Sequence, residues 1–450
     1  MQKQLIAIAC ALLLTSGSVN ALSLKDALAS AEEIDPTVQG QIANGAASQA
    51  GITIARSKLL PSVQGVGSYG RTNQTATQQD VYGNLYGQKF ITSTPNSQVY
   101  LKQAIFHPAE WAGLGASELQ NEYALMKLAG SYSDLWLRVS SAWFDLVSAQ
   151  EILDIQTQAE NSMTQVALQA QKAYEAGVGT KDVALEAKAQ LAFTHSNAVE
   201  AKLTLAARQK SFAVLTGIGL PDIEKAHLRF TNKYRPLGGN SKLFFEKVES
   251  TAPEILASKL TEDVRQMQLK QARAGSSPTV DLYGSYQQTQ NANINQIGLG
   301  VVSSSVAVQI MVPFYSGGLY VGQERQAAAY LDSAQADTKA TQLKLNTGVQ
   351  TFWATQEAQI DRAKSVQEMV SSGQEVVNAY RMGVTAGIKS WSDVANAEVT
   401  LTKRRVDQVN AIAQLLKAQA QLLSYLPVND ESWQTWLNGL SFDVKPLASK

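Results

Sequence analysis

The fold is decided by a short stretch that the sequence carries twice, PSVQGVGSY at 61–69 and PTVDLYGSY at 278–286. In the second copy Val280 and Leu282 alternate with Asp281 and Tyr283, which is the period of a β-strand. Long runs rich in alanine, glutamine and leucine lie on either side, and these are typical of helices. A strand that recurs inside a helical sequence indicates an internal duplication.

Two further landmarks recur in the same order. Phe106, in QAIFHPAEW at 103–111, occupies the place of Phe314 in VPFYSGG at 312–318. The stretch GVGTKDVALEA at 177–187 matches GIKSWSDVANA at 387–397. We therefore predict two copies of one plan, each with a helix, two strands, a very long helix and a returning helix.

Proline, glycine and polar runs set the predicted boundaries. The first helix of each copy is expected at about 24–59 and 253–275, with polar loops between the strands at about 75–95 and 291–298. The predicted divisions are a signal peptide at 1–21, a first repeat at 22–217 with strands at about 61–74 and 95–107, a linker at 218–252, a second repeat at 253–427 with strands at about 278–290 and 299–314, and a C-terminal tail at 428–450.

Composition excludes several functional classes. Lys3, the apolar run at 5–14 and cleavage after Ala21 are typical of a secretory signal peptide, which contains Cys10, the one cysteine of the sequence. Disulfides and thiolate metal sites are therefore not expected, and the three histidines show no metal-ligand spacing. Equal numbers of basic and acidic residues, 38 of each, argue against nucleic-acid binding. No nucleotide loop and no Ser, His and Asp grouping occur, so we predict no enzyme, cofactor or metal.

The long helical runs have a definite burial pattern. In the first long run, apolar residues recur at alternating spacings of four and three and form a seam along one side of the helix. Trp136 and Trp143 lie beside this seam and form a second apolar flank. A helix from about 109 to 176 would be about 100 Å long, more than an ordinary globular domain holds. The seam residues are Leu135, Val139, Ala142, Leu146, Ala149 and Leu153, and Leu345, Val349 and Phe352 keep the same spacing in the second copy.

The strands admit two interpretations. Their alternation suits a wall with lipid on one side and water on the other, and it also suits a small soluble sheet that caps a helical bundle. In a membrane, four strands would leave open edges that hydrocarbon does not tolerate. A membrane sheet would therefore be completed by several chains, with eight strands in a dimer or twelve in a trimer.

These landmarks together resemble the TolC-like outer-membrane factors, from Leu24 to about Leu426. The resemblance rests on QAIFHPAEW, VPFYSGG, the strand openings LPSV and SPTV, and G-x-x-S-x-x-D-V at 387–394. It implies a mainly α chain with a small β part, in which long helical hairpins form a periplasmic α-barrel. It also implies that four strands per chain contribute to a 12-stranded trimeric β-barrel in the outer membrane of a Gram-negative cell.

The resemblance also implies roles for residues of the helical turns. Asp393 matches an acidic ring at the channel entrance and Lys389 a basic tether of the closed state. Asn396 stands where a second aspartate often occurs, and Asp182 lies one place before the usual aspartate, with Val183 in that place. The alternative is that Asp393 only caps the returning helix.

The implied function is a passive exit duct. Its partners would be two further copies, a periplasmic adaptor of the membrane fusion protein class, an inner-membrane transporter and the exported substrate. The residues of the QAIF and VPFYSGG motifs resemble more closely the branch of the family that serves type I protein secretion with an ABC transporter than the branch that serves multidrug efflux with a proton-driven pump. A trimeric coiled-coil stalk or adhesin is the alternative of another class. The turn residues implied to dock the adaptor are Gly177, Val178, Thr180, Gly387, Ile388 and Ser390.

Overall fold

The structure is a computed structural model of the whole chain. It describes residues 23–79, 81–225, 237, 240–293 and 296–440. The predicted signal peptide at 1–21 lies outside these ranges, as do the last ten residues of the predicted tail and most of the linker between 226 and 239.

The described residues form helices and four strands in an order that repeats. Ten helices and four strands follow one another along these ranges, and their bounds are α1 Leu24–Ile34, α2 Pro36–Ser57, β1 Ser62–Gln79, β2 Leu85–Phe106, α3 Pro108–Glu175, α4 Lys181–Thr216, α5 Leu220–Lys225, α6 Ser241–Thr251, α7 Pro253–Ala274, β3 Thr279–Asn293, β4 Gln296–Met311, α8 Leu319–Thr385, α9 Trp391–Leu423 and α10 Glu431–Gly439.

The two copies agree in the lengths of their elements. Helices α1 and α6 each have 11 residues, and α2 and α7 each have 22. The long helices α3 and α8 have 68 and 67 residues. Because α6 is the counterpart of α1, the second copy begins near Ser241, and the boundary predicted at 253 is too late in the chain.

A proline divides the first helix of each copy, which the sequence prediction of one helix at about 24–59 missed. Asp35 has ψ of 119°, and its carboxylate accepts hydrogen bonds from the Thr37 and Val38 amides. Ala252 has ψ of 121° immediately before Pro253. A residue before proline is driven out of the α region, and proline is well suited to the first position of a helix. One helix therefore ends and the next begins at each proline.

The four strands form one antiparallel sheet in the order β1-β2-β3-β4. β1 pairs with β2 from Ser62–Lys102 to Gln79–Leu85, so pairing continues almost to the turn. β3 and β4 are likewise separated only between Asn293 and Gln296. The predicted loops at about 75–95 and 291–298 are therefore mostly strand. Their polar residues had suggested loops, whereas cross-strand pairing of the backbone decides the conformation.

The chain divides into two compact units. The first takes in the described residues of 1–40, 128–253 and 343–450, and the second those of 41–127 and 254–342. The sheet belongs to the second unit, and the turns at the ends of α3 and α8 belong to the first. Within the described ranges, no helix combines the length and apolar character required to cross a bilayer.

Aromatic residues form the centre of the first unit. Trp433 of α10 is fully buried and meets Trp136 of α3 edge to face, with ring centroids 5.2 Å apart. Trp436 meets Trp433 and Phe144 in the same manner at 5.7 and 5.8 Å. Edge-to-face contacts of this kind add to the energy of apolar burial. The C-terminal helix is therefore part of the core and not a loose tail.

The predicted seam of α3 faces this core for most of its length. Leu135 and Val139 are fully buried, and Leu146 and Ala149 are nearly so. Ala142 and Leu153 are only half-buried. The second flank of α3 is covered as well, because Trp136 contacts Trp433 of α10 and Trp143 contacts Phe212 of α4.

Candidate functional site

The two turns that end the long helices have one backbone conformation. In the first, the amides of Val178 and Gly179 both donate to the Ala173 carbonyl, at 3.0 and 2.9 Å. In the second, the amides of Ile388 and Lys389 both donate to the Gly383 carbonyl, at 2.9 and 3.1 Å. The sequence match at 177–187 and 387–397 therefore reflects a shared C-terminal helix cap.

A glycine with positive φ stands at the apex of each turn. Gly177 has φ of 76° and Gly387 has φ of 74°. This left-handed conformation is strained for residues with a Cβ atom and is common where a helix ends. The next residue in each turn, Val178 or Ile388, exposes about four-fifths of its surface, at 83% and 79%. Each turn thus presents one aliphatic side chain to solvent.

The two turns differ in which of two contacting positions is a glycine. A Cβ on Gly179 would lie 3.1 Å from the carbonyl carbon of Ala173. In the second turn the corresponding residues are Lys389 and Gly383, and a Cβ on Gly383 would lie 2.7 Å from Cγ of Lys389. The glycine is thus the later residue of the pair in the first turn, Gly179, and the earlier residue in the second turn, Gly383. This exchange permits a long cationic side chain at Lys389, whose Nζ lies over the Tyr380 ring, 4.2 Å from its centroid.

Asp393 caps the returning helix α9. Its carboxylate accepts a hydrogen bond from the Ser390 amide at 2.9 Å, and the Asp393 amide donates to Oγ of Ser390 at 3.2 Å. This reciprocal arrangement is a capping box. The hydrogen bond from the Ser390 backbone lowers the pKa of Asp393, and Lys389 lowers it further. The predicted capping role is therefore present, and it does not exclude a role at an entrance.

Asp182 occupies the first turn of α4, in the repeat position of Ser392. A hydrogen bond with the Thr180 side chain lowers its pKa below the ordinary value. Among the ion pairs of the described residues, none joins Asp182 to Lys389. Within one chain, Lys389 therefore lies over Tyr380, and the tether to Asp182 stays a prediction for an assembly of chains.

Glu186 is the acidic residue that sequence reasoning missed. It holds in α4 the repeat position that Asn396 holds in α9. Its carboxylate accepts a hydrogen bond from Oγ of Ser392 at 2.5 Å and another from the Asn396 amide group at 3.5 Å. The charge that is absent at Asn396 is thus supplied by the other hairpin. Comparing the two copies at position 396 would have identified Glu186, because it is the residue of the first copy that corresponds to Asn396.

An apolar core supports the turns. Met163 and Val166 of α3 are buried against Val394 and Ala395 of α9. The surrounding half-buried residues come from α4, α8 and α9, so all four helices of the two hairpins contribute to this core. They are Leu191, Tyr380, Val384, Trp391 and Val399.

The arrangement offers carboxylates and a cation at solvent-exposed turns. The described residues contain no group of three or more His, Cys, Asp or Glu side chains that would hold a metal ion. The model of the family described as outer membrane efflux protein matches residues 27–218 and 245–426. The chain belongs to this family. The match covers both copies of the repeat and leaves out the segment between them.

Relatives of this outer membrane efflux protein extend over nearly its whole length. The alkaline protease secretion protein AprF of Pseudomonas aeruginosa is 24% identical over 422 residues, which are 94% of this chain and 88% of AprF. The outer membrane protein TolC of Vibrio cholerae is 23% identical, over 90% of this chain and 92% of its own. The Campylobacter jejuni CmeC outer membrane channel shares the fold, with a TM-score of 0.77 at 15% identity, over 93% of this chain and 90% of CmeC.

Family membership settles the place and the general role of the chain. It is an outer-membrane protein of a Gram-negative cell with a large periplasmic part, and it serves as an exit duct for export. The mainly helical fold with four strands is confirmed. Both the family and the fold are those of outer-membrane channel proteins.

The capping box makes a prediction about pH. Because the pKa of Asp393 in the folded efflux protein is below its ordinary value of 3.8, its contribution to stability is present above that value and is lost as the pH falls through the lower, folded pKa. We expect Asp393→Asn to lower the melting temperature at about pH 6 and to have no effect well below pH 3.8. Thermal unfolding followed by circular dichroism measures this. A difference that already disappears near pH 5 would contradict the lowered pKa of Asp393.

Proposed function

We propose that this protein works as a homotrimer whose strands close one 12-stranded barrel and whose helical turns form a gated periplasmic entrance. The observation that carries the proposal is the sheet with two unpaired edges, β1 and β4, at opposite ends of the order β1-β2-β3-β4. Unpaired edges are not tolerated in hydrocarbon. Pairing β1 of one copy with β4 of the next removes every edge in a closed ring.

Exposed aromatic residues support a membrane position for the sheet. Phe106 is the last residue of β2 and Trp111 lies in the first turn of α3, while Phe314 and Tyr315 follow the end of β4. Phe314 and Tyr315 are almost fully exposed, at 95% and 90%. Because β2 and β4 run in the same direction and both end beside the start of β3, Phe106, Phe314 and Tyr315 lie at the same end of the sheet. Aromatic rings at a single level are typical of a membrane–water interface.

Cross-linking tests the pairing between copies. We expect cysteines introduced at Val66 of β1 and at positions along β4, such as Val306, to form disulfide-linked trimers, because these edges would lie side by side. Pairs between the interior strands, such as Val99→Cys with Tyr286→Cys, face each other within one chain and serve as the control. Non-reducing electrophoresis separates the results. A scan along β1 and β4 that gives only monomers would contradict the closed barrel.

The entrance is assigned to the turns at 177–180 and 387–390 and to the start of α9. In this proposal, three copies bring Asp393 and Lys389 around one axis, with Asp182 and Asn396 beside them. The exposed side chains of Val178 and Ile388, with Gly177, Thr180, Gly387 and Ser390, would receive the hairpin tips of a periplasmic adaptor. Their support is their exposure and the shared conformation of the two turns.

The proposed pathway is type I protein secretion, with an inner-membrane ABC transporter as the source of energy. Its support is the likeness to AprF, whose name assigns it to secretion of a protease, along most of both chains. Multidrug efflux with a proton-driven pump is the second candidate, and its support is the description of the family as outer membrane efflux protein. Deletion of the gene separates the two. Loss of particular proteins from the culture medium supports the first, and increased drug sensitivity with an unchanged set of secreted proteins supports the second.

A further inference from the structure

Three carboxylates are buried in the described part of the chain, and each lies against a cation. Asp35 pairs with Arg138 at 3.0 Å, and Asp281 pairs with Lys102 at 3.5 Å. Glu398, on α9, pairs with Arg381 of α8 at 2.6 Å. A buried carboxylate is costly unless charge and hydrogen bonds compensate it, so each of the three fixes the elements around it.

Glu398 differs from the other two because it joins three helices of the first unit. Its Oε1 accepts hydrogen bonds from Nη2 of Arg381 at 2.6 Å and from Oγ of Ser162, on α3, at 2.8 Å. Nη2 of Arg381 also donates to Oγ of Ser162 at 2.8 Å. The three side chains therefore form a closed triangle, which we call the clasp, and only 8% of Glu398 is exposed.

The clasp holds the two hairpins to each other by a charge-assisted contact, which Lys389 and Asp393 do not do within one chain. Lys389 lies over Tyr380, and Asp393 bonds to Ser390, so both of these contacts stay within the α8–α9 hairpin. Ser162 belongs to α3, the first arm of the other hairpin. Glu398 lies little more than one helical turn beyond Asp393. Any separation of α3 from α9 at this level has to break the bond from Ser162 to Glu398.

A cavity beside Glu398 allows its carboxylate to be hydrated when its hydrogen bond to Ser162 is broken. A cavity of about 330 Å³ lies between α3, α4 and α9, and Glu398 is one of its lining residues together with Met163, Phe193 and Val399. This volume is large enough for several water molecules. When the bond to Ser162 breaks, the carboxylate can be hydrated from this side while Arg381 still neutralises it. The cost of separation is therefore limited, which is a requirement of a two-state element.

We propose that Glu398 is a positioning residue of the entrance and that the clasp of Ser162, Glu398 and Arg381 holds the hairpins in the closed arrangement. The proposal rests on the proposed gated duct. It assigns to the clasp the coupling between α3 and the α8–α9 hairpin, while Asp393 and Lys389 line the opening itself. A partner that opens the duct has to offset the loss of these charge-assisted hydrogen bonds.

Two measurements on the purified full-length protein test the clasp. Spin labels on Asn161→Cys and Lys403→Cys, both exposed positions at the level of the cavity, report the distance between α3 and α9. Planar-bilayer recordings report the opening. We expect Glu398→Ala to lengthen and broaden the distance distribution and to raise the open probability roughly tenfold. Arg381→Lys, which keeps the charge, should restore most of the closed behaviour that Arg381→Met loses.

The matched control is Glu375→Ala, which removes an exposed carboxylate from α8 and should change neither reading. An unchanged distance in Glu398→Ala overturns the clasp. A lower melting temperature with unchanged distance and opening would likewise make Glu398 only a stabilising residue. If the wild type and its Asp393 and Lys389 variants never conduct, the proposed duct fails, whereas the spin-label distances still decide whether the clasp joins the hairpins.

Discussion

Replacing Trp433 by alanine is expected to lower the free energy of unfolding of the first unit by about 3–5 kcal/mol, the usual cost of removing a buried tryptophan ring. Trp433 is fully buried, and it contacts Trp136 of α3 and Trp436 of its own helix. Its loss leaves a cavity between α10 and α3 that neither helix can close without moving. We therefore expect a lower melting temperature and release of the C-terminal helix.

Trp433→Phe provides the matched control. The indole N–H of Trp433 is buried and has no hydrogen-bond partner among the described residues. Phenylalanine keeps most of the ring contacts and removes this unsatisfied donor, so its cost should be clearly smaller. Thermal unfolding followed by circular dichroism gives both values. Equal melting temperatures for the wild type and Trp433→Ala would mean that α10 is not part of the core.

Replacing Asp393 by alanine is expected to weaken the block of conductance by a millimolar trivalent cation at least about tenfold. The proposed trimer brings three Asp393 carboxylates to one axis, and the hydrogen bond from the Ser390 backbone favours the ionised form of each. A trivalent cation is bound by several negative charges at once, so losing all three removes most of its attraction. Single-channel recording with the cation added from each side measures the effect.

Asn396 allows the opposite substitution, in which a carboxylate is added near the entrance. Asn396→Asp adds a carboxylate one turn further along α9 and should strengthen the block. Asn396 already donates to Glu186, so the added charge also separates these two side chains. A block that is equal in the wild type, Asp393→Ala and Asn396→Asp would place the constriction elsewhere in the duct. Lys389→Ala, which removes the proposed tether, should instead raise the open probability.

The repetition in the sequence was sufficient to predict the plan of the fold. The strands beginning near Pro61 and Pro278 and the turns at Gly177 and Gly387 occur where the two copies match. Each of these features depends on local chemistry, such as alternation in a strand or a glycine with positive φ. Local chemistry can be read from one copy and checked against the other. The order of the elements followed from that comparison.

Features that depend on contacts distant in sequence were not predicted. The polar residues that follow Gly70 form strand because each meets a partner across the hairpin, which their own chemistry does not indicate. The core position of α10 depends on Trp136, nearly three hundred residues earlier in the chain. The break before Pro36 was the exception, since the residue before a proline could have been recognised from the sequence alone.

The position of the glycine in each turn has a consequence for the charge at the entrance. A side chain at the fourth position of the turn requires that the residue opposite has none, and the pairs are Gly179 with Ala173 and Lys389 with Gly383. A Cβ on Gly179 would lie 3.2 Å from the Cβ of Ala173, so Ala173→Gly removes the closest side-chain contact that Gly179→Lys would make. In the proposed trimer, this pair of substitutions would place six cations at the entrance instead of three.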